Sequence, residues 1–245
     1  MNKIIKIKNL IYDCLFPIFC LNCGAFIKNE SGLYLCENCL KTIPLYSSLF
    51  CPICLKRIGQ FKKCSHSNNY SPLDFIASAT DYENPLVQKL IHLYKYQFVK
   101  DIRHTLGNIV INYWEKIWPD LKKQFSGAIV IAIPLSRQRF KERGFNQSEE
   151  IAKIFANYFQ LEINSEILIR QKNTHPQAKL DNYEERHLNL KNAFEVKDKN
   201  SLKNKNIILI DDVFTSGATM QEAARVLKQN GSKKIIGLTV AKSRK

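Results

Sequence analysis

All eight cysteines of this 245-residue chain fall within its first 64 residues: Cys14, Cys20, Cys23, Cys36, Cys39, Cys51, Cys54 and Cys64. Whatever they build is therefore an N-terminal head on a cysteine-free body. A disulfide framework suits a small secreted domain. The first residues argue against that route, because Lys3, Lys6 and Lys8 lead only a short apolar run that Asp13 interrupts, with no small-residue cleavage site after it. Ile4, Ile7, Ile11, Cys14 and Leu15 fall at helical spacing, which predicts an amphipathic helix running into the cysteines. No apolar run approaches the ~18 residues that a membrane span needs. A soluble, cytoplasmic protein is expected.

Three of the cysteine spacings are C-x-x-C. Cys20-Leu-Asn-Cys23 followed by Gly24 has the form of a knuckle, and Cys36-Glu-Asn-Cys39 supplies a second pair at ribbon spacing. Four thiolates make a closed tetrahedral site, which suits structural zinc; the plain alternative is four buried free thiols. Cys51-Pro-Ile-Cys54 opens a second knuckle whose partner is incomplete, since Cys64 is followed by Ser67 where a regular spacing requires cysteine. His66 is positioned to complete a three-cysteine, one-histidine site; a ribbon that has lost its metal is the other reading. Cys14 is left without a partner and is assigned to the core. Lys56, Arg57, Lys62 and Lys63 cluster beside the second site, either as a solvated face or against a phosphate backbone.

From about residue 74 the pattern changes. Phe75–Thr80 reads as a strand. Asn84-Pro85 starts a helix with Leu86, Leu90, Leu93 and Tyr94 on its apolar face and Lys89, Lys95 and Lys100 pointing elsewhere; a second helix spans roughly Ile102–Ile117. Trp114 and Trp118 are assigned to core or interface. Beyond Phe125 strands at Ala128–Ile133, Glu166–Arg170, Ile207–Ile210 and Ile235–Val240 alternate with helices at Phe145–Phe159 and Thr219–Asn230. Continuous apolar strands joined by helical crossovers predict an α/β fold, a parallel sheet with helices on both faces. Ligands of such sheets bind outside the carboxyl ends of the strands, so the loops after Ile133, Arg170 and Ile210 are the places to look. The expected domains are 1–72, a double zinc ribbon with an N-terminal helix, and 73–245, with 73–125 a helical insert or hood and 126–245 the core.

Net charge narrows the ligand class. The formal charge is +15, divided +7 over residues 1–126 and +8 over residues 127–245, so the basicity is a property of the whole surface. Phosphate-bearing partners fit it: nucleotides, nucleic acid or anionic lipid. Two filled zinc sites with seven thiolates lower the charge to about +12.

The stretch Ile207-Ile-Leu-Ile-Asp211-Asp212-Val213-Phe214-Thr215-Ser216-Gly217-Ala218-Thr219 carries the most chemistry. Two adjacent carboxylates leave an apolar strand, and a small-residue loop then turns into a helix. Thr215, Ser216, Gly217, Ala218 and Thr219 offer hydroxyls and backbone N–H groups at a helix N-terminus, a ready anion site. Asp211 and Asp212 are able to accept hydrogen bonds from a ribose diol. The competing explanation is an acidic cap on an ordinary helix.

This stretch resembles the phosphoribosyl-pyrophosphate signature of the type I phosphoribosyltransferases. Over nearly all its length the chain resembles the ComF family of competence proteins: a double zinc ribbon, a helical insert and the transferase fold. Ile133-Pro134-Leu135 with Arg137, Arg139 and Arg143-Gly144-Phe145-Asn146-Gln147 is similar to the family pattern. So are Arg170, Thr174-His175-Pro176-Gln177, Arg186, Asn189 and Ala193-Phe194; Ser67 departs from it. The resemblance implies the type I phosphoribosyltransferase fold, with Asp211 and Asp212 on the ribose hydroxyls and residues 215–219 on the 5-phosphate. It implies a pyrophosphate loop at Pro134, Leu135, Ser136 and Arg137, a mobile loop over 171–189, and magnesium bridging phosphoribosyl pyrophosphate.

Arg137 is assigned to pyrophosphate, whereas Arg139, Lys141 and Arg143 are assigned to nucleic acid or to the surface, with Phe140 and Phe145 as stacking rings. Among the histidines, His92, His104 and His187 sit in helical contexts and only His175 is a candidate for chemistry. Three functions follow. One is a phosphoribosyltransferase acting on an unidentified acceptor. The second, favoured here, is a competence factor that handles incoming single-stranded DNA on a working phosphoribosyl-pyrophosphate site. The third is a scaffold whose zinc head docks on a competence helicase. Nothing in the sequence fixes the oligomeric state.

Overall fold

The computed structural model describes residues 15, 17–28, 32–59, 64, 66, 71–117, 125, 127–171, 192–198 and 200–243. The expected N-terminal helix, Cys14, Lys62, Lys63, Ser67, Trp118 and nearly all of the expected mobile loop, with His175, Arg186, His187 and Asn189, lie outside them.

In the head, β1 (Ile18–Phe19) and β2 (Phe26–Ile27) form an antiparallel hairpin, and the short α1 (Glu37–Lys41) follows. The Cys36 side chain caps α1 by accepting from the Cys39 amide. A second hairpin pairs β3 (Leu49–Phe50) with β4 (Arg57–Ile58). Next come β5 (Phe75–Asp81), α2 (Pro85–Tyr96) and α3 (Ile102–Ile117). Asn84 caps α2 by accepting from the amides of Leu86 and Val87, with Pro85 in the first helical turn where no N–H is needed. The chain then runs through β6 (Ile129–Ala132), α4 (Arg137–Arg143), α5 (Gln147–Phe159), β7 (Glu162–Ile163), β8 (Leu168–Arg170) and β9 (Phe194–Val196), and ends with β10 (Ile207–Phe214), α6 (Ala218–Gln229) and β11 (Ile235–Lys242).

The central sheet has the order β4-β3-β5-β11-β10-β6-β7. Strands β5, β11, β10, β6 and β7 are parallel, as continuous apolar runs predict. Ile208 and Ile210 of β10 pack with α2, α3 and α5, while Ile207 and Leu209 pack with α6. Both faces are covered, and the core is two layers of aliphatic side chains divided by one sheet.

Four local expectations change. The strand near Glu166–Arg170 is not in the parallel sheet: β8 pairs antiparallel with β9 in a separate two-stranded sheet. A three-residue apolar run does not encode its partner, and this partner comes only after residue 191. Strand β10 runs on through Asp211 and Asp212 to Phe214 rather than stopping at Ile210, because Asp211 keeps register with Thr239 and Val213 with Ala241. The loop expected over Pro134–Arg137 ends at Ser136, because Arg137 already begins the helix α4, opened by the Ser136 hydroxyl accepting from Arg139 N and closed by Gly144 at φ 74°. The edge of the sheet also differs, since the hairpin of the second knuckle joins it through Phe50 opposite Ile76. The expected boundary near residue 72 therefore falls inside one hydrogen-bonded sheet.

Candidate functional site

The carboxyl ends of β6 and β10 meet α2 and α4 around a cavity of about 330 Å³, within the range of small-molecule sites. Tyr82, Lys95 and Tyr96 form one wall, and Ile133, Pro134 and Leu135 form the turn after β6. Arg139, Arg143 and Arg170 contribute positive charge; Asp211, Asp212, Thr215, Gly217 and Thr219 form the floor. Of the residues singled out from the sequence, Asp211, Asp212, Thr215, Gly217 and Thr219 are brought together here, while Ser216 and Ala218 are not among the lining residues. Arg139 and Arg143 also line this cavity, whereas Arg137 is not among its lining residues.

Asp211 accepts from the Ser148 hydroxyl at 2.8 Å, and its Oδ1 also accepts from the Asp212 amide at 2.9 Å. Burial, with the adjacent Asp212 charge, pushes the Asp211 carboxyl up to about 6, against the pull of Lys95 and Ser148. Asp212 is buried and forms an ion pair with Lys95 Nζ at 2.8 Å. This corrects the expectation that Lys95 points away. It lies on the turn of α2 that overhangs the strand ends, and helical periodicity alone does not reveal that this face meets the site.

The loop over residues 215–219 is shaped by Phe214 and Gly217. Gly217 opens α6 at φ 77°, and a Cβ there would lie 2.4 Å from Phe214 Cζ, so the position accepts glycine alone. Gly217 has no side chain with which to cap α6, and the backbone at this helix N-terminus lines the cavity through Gly217 and Thr219. Ser216 is buried and its hydroxyl accepts from Ala218 N at 3.4 Å, while Thr215 is exposed.

Across the cavity, burial lowers the Arg170 guanidinium to about 10; the Arg139 charge adds to this and Asp211 opposes it. These two guanidinium groups thus line one cavity. Arg170 and Tyr96 were not assigned to the site from the sequence. Arg143 lies over the Tyr96 ring, 5.8 Å from its centroid, and the ring is 61% exposed. Phe140 is exposed, but Phe145 is buried against Tyr94, so it is no stacking surface. Lys141 and Arg137 lie on α4 outside the cavity lining.

The cysteines form two groups. The Sγ atoms of Cys20, Cys23, Cys36 and Cys39 lie within 4.8 Å of one another, and so do those of Cys51, Cys54 and Cys64. Cys23 and Cys36 are 3.7 Å apart, as are Cys54 and Cys64. A tetrahedron with zinc–sulfur arms of ~2.3 Å has edges of about 3.8 Å, so both groups have the dimensions of zinc sites. His66 Nδ1 lies 3.4 Å from Cys64 Sγ. The first group docks on the hood helices, where Lys89 Nζ donates to Leu21 O at 2.7 Å and Tyr34 N to Thr105 Oγ1 at 2.9 Å.

Residues 144–245 match the family model of the phosphoribosyl transferase domain. The chain is 31% identical to Competence protein ComFC of Bacillus subtilis over 151 residues, 60% of this chain and 56% of that protein. It is 26% identical to DNA utilization protein YhgH of Escherichia coli K12 over 93% of this chain and 94% of that one. Competence protein F of Haemophilus influenzae is 26% identical over 87% and 86%. No helix of the described residues is long and apolar enough to cross a membrane.

Proposed function

We propose that this chain, a ComF-family protein with a phosphoribosyltransferase domain, is a cytoplasmic competence factor that binds phosphoribosyl pyrophosphate with magnesium and handles incoming single-stranded DNA. The observation that carries the reading is the convergence of the acidic pair, the glycine-opened helix N-terminus and Arg139 with Arg170 on one cavity. Each suits a different part of that ligand. Asp211 and Asp212 hold the ribose diol, residues 215–219 the 5-phosphate, and the arginines the pyrophosphate. Magnesium bound with the ligand beside Asp211 and Asp212 would supply charge neutralisation. The ion pair with Lys95 holds the Asp212 carboxylate in place at the cavity.

The arrangement serves transferase chemistry as well as binding. Displacement of pyrophosphate builds positive charge at the anomeric carbon, and the protein's part is positioning and electrostatic stabilisation. An active phosphoribosyltransferase with an unidentified acceptor is the second reading, favoured by the exposed Tyr96 ring at the cavity wall. Calorimetry with phosphoribosyl pyrophosphate and magnesium, repeated with single-stranded DNA, tests the proposal. Absence of saturable binding to the small ligand sinks both readings, and turnover of that ligand with an added acceptor selects the second.

The DNA-handling part rests on the basic surface, on Lys141 of α4 outside the cavity lining, and on the names of the relatives. A competence helicase is the partner that the zinc head would meet.

A further inference from the structure

Gln221 stands four residues past the glycine that opens α6, and its backbone N–H donates to Gly217 O at 2.8 Å. It therefore makes the helical hydrogen bond that holds the end of the phosphate loop. Its side chain leaves the site altogether. Nε2 donates to the Pro52 carbonyl at 3.0 Å, and Oε1 accepts from the Ser71 hydroxyl at 3.0 Å. Ser71 in turn accepts from Leu73 N at 3.2 Å, just ahead of β5.

Pro52 is no ordinary acceptor. It is buried in the knuckle Cys51-Pro-Ile-Cys54, whose turn closes through Leu55 N donating to Cys51 O at 3.0 Å. The direction of its carbonyl is set by that turn, and the turn is set by where the sulfurs of Cys51, Cys54 and Cys64 are held. Each polar atom of the Gln221 amide has a partner in the head or its linker, so any shift of the knuckle reaches the first turn of α6 within one side chain.

We propose that Gln221 is a positioning residue coupling the second cysteine group to the phosphate loop, so that the loop's hold on a phosphate follows metal occupancy of Cys51, Cys54 and Cys64. The coupling needs only the geometry described; its effect on affinity rests on the reading of residues 215–219 as a 5-phosphate cradle. With the metal in place the Pro52 carbonyl meets Nε2, and the first turn of α6 is held. Without it the knuckle turn loosens, the amide loses its acceptor, and the N–H groups of residues 215–219 no longer converge.

The test uses the full chain and three variants: Gln221→Ala, Gln221→Glu and Cys64→Ser. Glutamate keeps the length and an acceptor for Ser71 but has no proton for Pro52 O. Both Gln221 variants should keep wild-type zinc content and melt within a few degrees of wild type, with amide exchange over residues 215–219 about fivefold faster. Cys64→Ser should lose one zinc and show the same local acceleration; adding Gln221→Ala to it should bring no further change. Where Cys64→Ser is insoluble, withdrawal of one zinc equivalent from wild type by chelator takes its place. Affinity for magnesium phosphoribosyl pyrophosphate should fall about fivefold in parallel. Unchanged exchange at 215–219 in the Gln221 variants, or additive effects in the double variant, would overturn the coupling. If wild type does not bind the small ligand, the phosphate reading fails, and the exchange data still decide the coupling.

Discussion

Lys95 Nζ lies 2.8 Å from Asp212 Oδ1, with side chains only 19% and 10% exposed. An ammonium from the hood thus neutralises the second member of the acidic pair. Removing one partner of such a pair leaves a charge without compensation, at about 2 kcal/mol here, below the ~3–5 of a fully dry pair. Lys95→Met should lower stability by that amount in urea titration, and Lys95→Met with Asp212→Asn should recover most of it. Equal losses in the single and double variants would show that the pair contributes nothing.

Asp211 gives a pH signature. Its carboxyl is raised to about 6 by burial and by Asp212, so the native state retains a proton that the unfolded chain has already released. Stability should therefore fall as pH rises from about 4 to 6 and then level off. Asp211→Asn should flatten that fall and melt higher than wild type at pH 8, with the difference shrinking toward pH 4. Binding has the opposite slope, because a magnesium-bearing ligand needs the ionised carboxylate. Affinity for magnesium phosphoribosyl pyrophosphate should weaken below pH 6 and show proton release in calorimetry near pH 6 but not at pH 8.

Gly217→Ala is the sharpest test of the loop. The positive φ alone costs about 1–2 kcal/mol, and the new methyl meets the Phe214 ring at 2.4 Å. Affinity for phosphoribosyl pyrophosphate should drop at least tenfold while zinc content stays at the wild-type value. Retained affinity would move the 5-phosphate elsewhere.

Arg139→Ala separates the two uses of the basic helix α4. Since Arg139 lines the cavity and depresses Arg170, the small ligand should weaken. Lys141→Ala should leave the small ligand alone and make the salt dependence of single-stranded DNA binding shallower by about 0.7 in log–log slope. Reversal of these two results would exchange the roles assigned to the residues.

Cys36→Ser removes one of four thiolates from the first group. It should abolish soluble expression or release one zinc per chain, measured by elemental analysis. A stable variant with full zinc content would show that the group is not a metal site.

The sequence revealed what local chemistry encodes. Asn84-Pro85 marks a helix start whatever surrounds it, and Thr215–Thr219 after an apolar strand marks the turn into the next helix. What it withheld depends on distant chain. Lys95 has the same helical environment as Lys89, yet one reaches Asp212 and the other Leu21. Likewise, Leu168–Arg170 reads like a buried parallel strand until β9 is seen beside it. Arg139 lies beyond the expected pyrophosphate loop in sequence and is assigned to nucleic acid from that position, whereas the fold of α4 makes it a lining residue of the cavity.

The segment from Leu45 to Phe50 runs antiparallel along β5, through the Leu45–Thr80 bridge, Tyr46 N to Ala79 O at 2.9 Å, and Phe50 opposite Ile76. All seven residues of β5 are buried. Were this segment to peel away, the sheet would present a long, flat, apolar border with open amides, the kind of surface that recruits other chains. A metal held by Cys51, Cys54 and Cys64 would keep the hairpin closed over this border, so metal-stripped protein should be lost to aggregates before its α/β core melts.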